Sequence, residues 1–129
     1  MLKRTVIVAA IGLLSTSPQA TYADAASEIA TAAQHAGLAA SAADLPQTRM
    51  HLHHVMNCLV GPKDGDFDKT VTNPCAQQGN GAYLDESNPD IKAKLQDAMS
   101  LAADGIAAKD EATAKKDAAT LQTQLGGIK

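Results

Sequence analysis

One residue in five of this 129-residue chain is alanine, 26 in all, and aromatic rings are almost missing. Alanine is the best helix former, so long stretches of it favour helix over strand. There is no Trp, one Phe and two Tyr. A β-sandwich draws on β-branched and aromatic residues, and a nucleic-acid or sugar platform needs rings to stack on. The formal net charge of −3 leaves no basic surface for a polyanion, so nucleic acid is not an expected partner.

The first residues carry an address. Lys3 and Arg4 precede a short apolar run, Thr5 to Leu14, and small polar residues follow up to Ala23. This pattern predicts a signal peptide over 1–23, with cleavage after Ala23 or nearby, and a single helical domain over 24–129. The apolar run is about 10 residues where a membrane span needs about 20, so no span is expected in the mature form. Removing 1–23 takes away Lys3 and Arg4 and no acid, so the net charge moves from −3 to −5. The expected location is the periplasm or the exterior.

Cys58 and Cys75 are the two cysteines. In an exported chain an even count reads as one disulfide. It would close a loop of about 18 residues and contribute ~3 kcal/mol in the chain-entropy picture. Two free thiols ligating a metal are the alternative.

Four helical segments surround one long loop. The first spans about Asp24 to Ala43, with a seam at Ile29, Ala33, Ala36, Ala40 and Ala43. The second starts at Asp44, a good N-cap followed by Pro46, and stops at Gly61-Pro62. Its apolar face is Leu45, Leu52, Val55, Met56 and Leu59. Residues 61–87 hold much of the Gly, Asn and Pro together with Phe67, Tyr83 and Cys75, which predicts an ordered loop. The third helix starts at Asn88-Pro89-Asp90, with a stripe of Ile91, Leu95, Ala98, Ala102 and Ile106. The fourth starts at Asp110 and buries Ala114, Ala118, Leu121 and Leu125 before Gly126-Gly127. The expected fold is all-α: a four-helix bundle of two helical hairpins, with a disulfide-pinned loop between helices 2 and 3. A core of methyl groups buries little area, which makes a homodimer a further expectation.

The chemistry concentrates in Met50-His51-Leu52-His53-His54-Val55-Met56-Asn57-Cys58. At about 100° per residue, His54 and Cys58 lie near −60° and −20° of His51, in one stripe beside the apolar face. His53 points elsewhere, towards solvent. A Cys58–Cys75 bond would bring Asp64, Asp66 and Asp68 over His51 and His54. Two histidines at i and i+3 share a metal readily, and Asp66, Asp68 or His35 from the first helix are third-ligand candidates. Met50 and Met56 add soft sulfur, which favours copper; zinc and haem are the other candidates.

A purely structural role stays open beside this. The histidines would then hold the loop's carboxylates, which raises their folded pKa values, whereas a bound metal makes acid destabilising. Asp64, Asp66 and Asp68 match the first ligand positions of an EF-hand, but Lys69 and Cys75 stand where Gly and Glu belong. No Cys-x-x-Cys-His, His-Glu-x-x-His, Gly-x-Ser-x-Gly or phosphate-binding glycine loop occurs. An enzyme is therefore not expected.

His51-Leu52-His53-His54, Asn57-Cys58-Leu59-Val60-Gly61-Pro62, Phe67-Asp68, Asn73-Pro74-Cys75 and Gly79-Asn80-Gly81-Ala82 resemble a group of small uncharacterised exported proteins, chiefly proteobacterial. The likeness spans about residues 35 to 85. It implies export and a shared helix-plus-loop module, and it carries no activity. Two functions follow: a metal- or haem-binding envelope protein centred on His51 and His54, or an interaction protein whose loop grips an unknown protein partner through Phe67 and Tyr83.

Overall fold

A computed structural model describes residues 24–129, so the expected signal peptide lies outside the described residues. Those residues form five helices and no strand: α1 Ala25–Ala40, α2 Leu45–Val60, α3 Ala82–Asp85, α4 Pro89–Ala107 and α5 Glu111–Gly126. Among them no helix is long and apolar enough to cross a membrane.

The helix starts are set by side-chain caps. Asp44 accepts from the backbone N–H of Gln47 at 2.9 Å, Asn88 from Asp90 at 2.9 Å, and Asp110 from Thr113 at 2.8 Å. Asp24 caps α1 through the N–H of Ala26. Pro46 and Pro89 occupy first turns, where a missing N–H costs nothing. The hydrogen bonds that Asp24 and Asp110 accept hold both carboxyls below the usual Asp range. α1 ends at Ala40, three residues short of the expected Ala43. Ser41 closes it, its hydroxyl donating to the carbonyl of Gly37 at 3.0 Å.

α1 packs on α2 and α5, and α4 packs on the same two helices, while α1 and α4 do not meet. The core is thin and continuous. Leu52, Val55, Met56, Leu59, Leu95, Leu121 and Leu125 supply its bulk, and Ala98, Ala102, Ala114 and Ala118 let the helices close in. At Gly105 the approach is tight enough that a Cβ would stand 2.9 Å from Leu52 Cδ1. On α1 the buried seam is Ile29, Ala32, Ala36 and Ala39. Ala33 and Ala40, expected in the core, are only partly buried against it. The sequence offers alanine doublets at 32–33 and 39–40, so hydrophobicity alone does not choose between the two registers.

The expected loop 61–87 is not all loop, because α3 forms one turn within it. It leaves α2 at Gly61 and returns to the same point at Gly81. Both glycines have positive φ, 75° and 114°. A Cβ on Gly61 would fall 1.7 Å from the carbonyl oxygen of Asn80, and one on Gly81 would meet the Val60 backbone at 2.5 Å. Only glycine fits where the two backbones touch. Cys58 and Cys75 are joined as a disulfide, and both are buried. Further ties fix the loop to α1 and its cap. The Asp24 N–H donates to the Gln78 carbonyl, the Gln78 side chain pairs with Thr31, and the Gly81 N–H donates to Glu28 at 2.9 Å.

Candidate metal centre

α1 and α2 are joined by the short connection 41–44, so residues equally far from it face each other across the hairpin. His35 lies six residues before Ser41, where that connection begins, and His51 seven after Asp44, where it ends. His54 is one helical turn further along the same face. The three rings converge. His35 Nδ1 stands 3.4 Å from His51 Nδ1 and 3.3 Å from His54 Nδ1. Ring centroids are 4.9 to 5.6 Å apart. One ligand nitrogen from each of the three residues lies within 4.8 Å of the other two.

Hydrogen bonding does not account for this arrangement. A neutral imidazole nitrogen carries either one proton or one lone pair, so His35 Nδ1 makes a full bond to one neighbour and leaves the other facing it unpaired. A tetrahedral ion with bonds of about 2.0–2.1 Å spaces its nitrogens by about 3.3–3.4 Å. The two separations from His35 match that spacing.

The electrostatics favour neutral rings. Burial, and then the neighbouring His54 and His51, push His35 down from 6.5 to about 4. Burial, and then His51 and His53, push His54 down as well. The alternative in which a loop carboxylate raises the pKa of His54 is thus overturned. His51 and His54 meet His35, a third imidazole, and have no hydrogen bond or ion pair with the loop. The stripe of His51, His54 and Cys58 does face one way; α1 covers its histidines and the loop covers its cysteine.

The chain matches no family model, no curated protein and no solved structure.

Asp66 and Asp68 do not join the three histidines. Asp68 Oδ2 stands 3.1 Å from His53 Nδ1, and its Oδ1 accepts from the Thr70 N–H at 2.8 Å and hydroxyl at 2.6 Å. The Thr70 bonds chiefly, with His53 adding, hold this carboxyl low. His53, expected to point to solvent, is only part-exposed and ties α2 to the loop. Asp66 lies beside Asp64 on the rim of a separate cleft with Met56, Tyr83 and Met99. Met56 is in the core, so its sulfur gives the site no copper preference, and Met50 is exposed. Phe67 packs partly buried against the core. Tyr83 is engaged inside the molecule too, its hydroxyl accepting from Gln96 at 3.0 Å and its ring lying under Lys92 at 4.5 Å.

Of three buried polar residues, Thr48 serves its own helix, its hydroxyl donating to the Asp44 carbonyl at 2.9 Å, and Asn57 and Glu28 reach the loop. Asn57 is 1% exposed and clamps the loop through both its amide atoms: Nδ2 donates to the Asp68 carbonyl at 2.9 Å, and Oδ1 accepts from the Asp68 N–H at 2.8 Å. Glu28, also 1% exposed, holds the Gly81 N–H with Oε1 and leaves Oε2 without a partner. Asn57 sits between the histidine cluster and Cys58, and that clustering of polar residues was its only sequence signal. Glu28 looks like an ordinary acid in a first turn and gave none.

Proposed function

We propose that this chain is a small exported metal-binding protein that holds one transition-metal ion on His35, His51 and His54. The observation that carries the reading is the pair of Nδ1 separations, 3.4 and 3.3 Å, which are those of imidazoles sharing a tetrahedral ion. The lowered pKa of His35 and His54 adds support, because the lone pairs are free at neutral pH. An all-imidazole set suits zinc or copper(II). Haem fits poorly, since nitrogens this close leave no slot for a macrocycle between them.

The chain is a four-helix bundle of the periplasm, delivered by residues 1–23 and stapled by Cys58–Cys75 after export. It buffers, carries or senses the metal. The resemblance to small exported proteobacterial proteins accords with that location.

The test is metal stoichiometry by native mass spectrometry on refolded protein after zinc or copper(II) loading. One ion per chain is expected, lost in His35→Ala and His54→Ala. An ion retained at full occupancy by both variants would sink the proposal.

A further inference from the structure

Three protein nitrogens make an incomplete shell for an ion that takes four ligands. The side chains that the sequence offers as a fourth are committed elsewhere. The Asp68 carboxylate is held by His53 and Thr70, and its backbone by Asn57. Cys58 is in the disulfide, and Met56 is in the core. Asp66 lines the cleft around Tyr83 and Met99. The three histidines are each part-exposed, so their triangle lies at the edge of the α1–α2 seam rather than beneath the core.

Charge points the same way. Three neutral imidazoles leave a divalent ion with its full +2 charge. Among the described residues no carboxylate forms an ion pair with His35, His51 or His54 to offset it. An ion so placed attracts a small anion from solution.

Building on the metal-site reading above, we infer that the bound ion keeps one coordination position open to solvent, occupied by water that a small anion displaces. The site is then one that accepts an exogenous ligand, as metal centres with three protein ligands do, and not a closed structural clamp. Its ligand class is a compact monoanion or a single donor atom presented from outside the chain.

Cobalt(II) is the probe, because its visible bands report coordination number and ligand exchange. The full chain is loaded with cobalt(II) and titrated with azide. A spectrum that the wild type forms and His35→Gln/His51→Gln/His54→Gln does not establishes the site, with circular dichroism confirming that the variant folds. The inference expects a saturable azide-dependent band at one azide per cobalt. A tetrahedral cobalt spectrum that azide leaves unchanged would overturn the inference and leave the metal site standing. If only Asp68→Asn responds to azide, Asp68 fills the position and the inference also fails. If the triple variant binds cobalt as the wild type does, the metal site itself falls, and the open position with it.

Discussion

His35 on α1 and His51 on α2 are 16 residues apart in sequence and 3.4 Å apart at Nδ1. That contact bridges the hairpin, so an ion bound there is a cross-link between two helices. Binding to the folded state alone stabilises it by mass action, about 2.7 kcal/mol at a free metal concentration of a hundred times Kd. For a domain of this size that is a rise in Tm of roughly 10 °C or more. Thermal melts with and without zinc are expected to differ by that much, and a chelator should reverse the gain. His35→Ala should melt at the same temperature with and without zinc. A zinc-induced shift that survives in this variant would place the ion elsewhere.

The disulfide and the histidines should be separable. Cys58–Cys75 fastens the loop to the last turn of α2, whereas the histidines lie earlier on the α1–α2 hairpin. Reduction, or Cys58→Ser/Cys75→Ser, is expected to cost ~3 kcal/mol of stability by freeing a closed loop of about 18 residues in the unfolded chain. Metal affinity, measured below the new melting temperature, should change by no more than a few-fold. A collapse of affinity in a variant that remains folded would mean that the loop helps to hold the ligands.

Much of this was legible in the sequence. Asp44, Asn88 and Asp110 announce their helices because a cap is a local device, a short polar side chain one to three residues from the N–H it accepts. The stripe of His51, His54 and Cys58 follows from helical pitch alone. What covers that stripe does not. His35 stood only as one third ligand among several, and what singles it out is its matching distance from the 41–44 turn, which requires knowing that α1 and α2 pair. Ala32 and Ala33 differ in burial but not in chemistry, so the register of α1 comes from packing. Glu28 and Asn57 are polar residues buried by partners on the loop, and hydrophobic period does not mark them.

Asn57 is the test of how the loop is held. Both of its amide atoms are satisfied by the backbone of Asp68. Asn57→Leu keeps the volume but strands an N–H and a carbonyl in a buried place, at about 1–3 kcal/mol for each group left unsatisfied. Partial loosening of the loop is the expected result, because the disulfide and Gly81 still hold its far end. Limited proteolysis should then cut within 61–74 well before the helices are attacked. Cleavage no faster than in the wild type would show that the clamp is redundant.

The last prediction concerns two groups of opposite sign. Burial, with Asp85 and Asp24 adding to it, raises Glu28 from 4.5 to about 7 despite the hydrogen bond from Gly81. Its contribution to stability is complete below about 4.5 and is lost as pH rises through about 7, because over that range the folded state binds more protons. His35, lowered from 6.5 to about 4, acts the other way. Its contribution is complete above 6.5 and is lost as pH falls towards about 4, because the unfolded state then binds more protons. His54 adds to the histidine side. The windows overlap from about 4.5 to 6.5, where the two slopes oppose each other and the metal-free protein should vary little. Glu28→Gln keeps an oxygen for the Gly81 N–H and removes the acid. Its urea midpoint should climb from pH 4 to 6.5 and then level off, and at pH 7.5 it should exceed that of the wild type. His35→Gln should show the reverse, a midpoint that declines from pH 4.5 to 7. Profiles that run parallel in all three proteins would mean that neither group changes its pKa on folding.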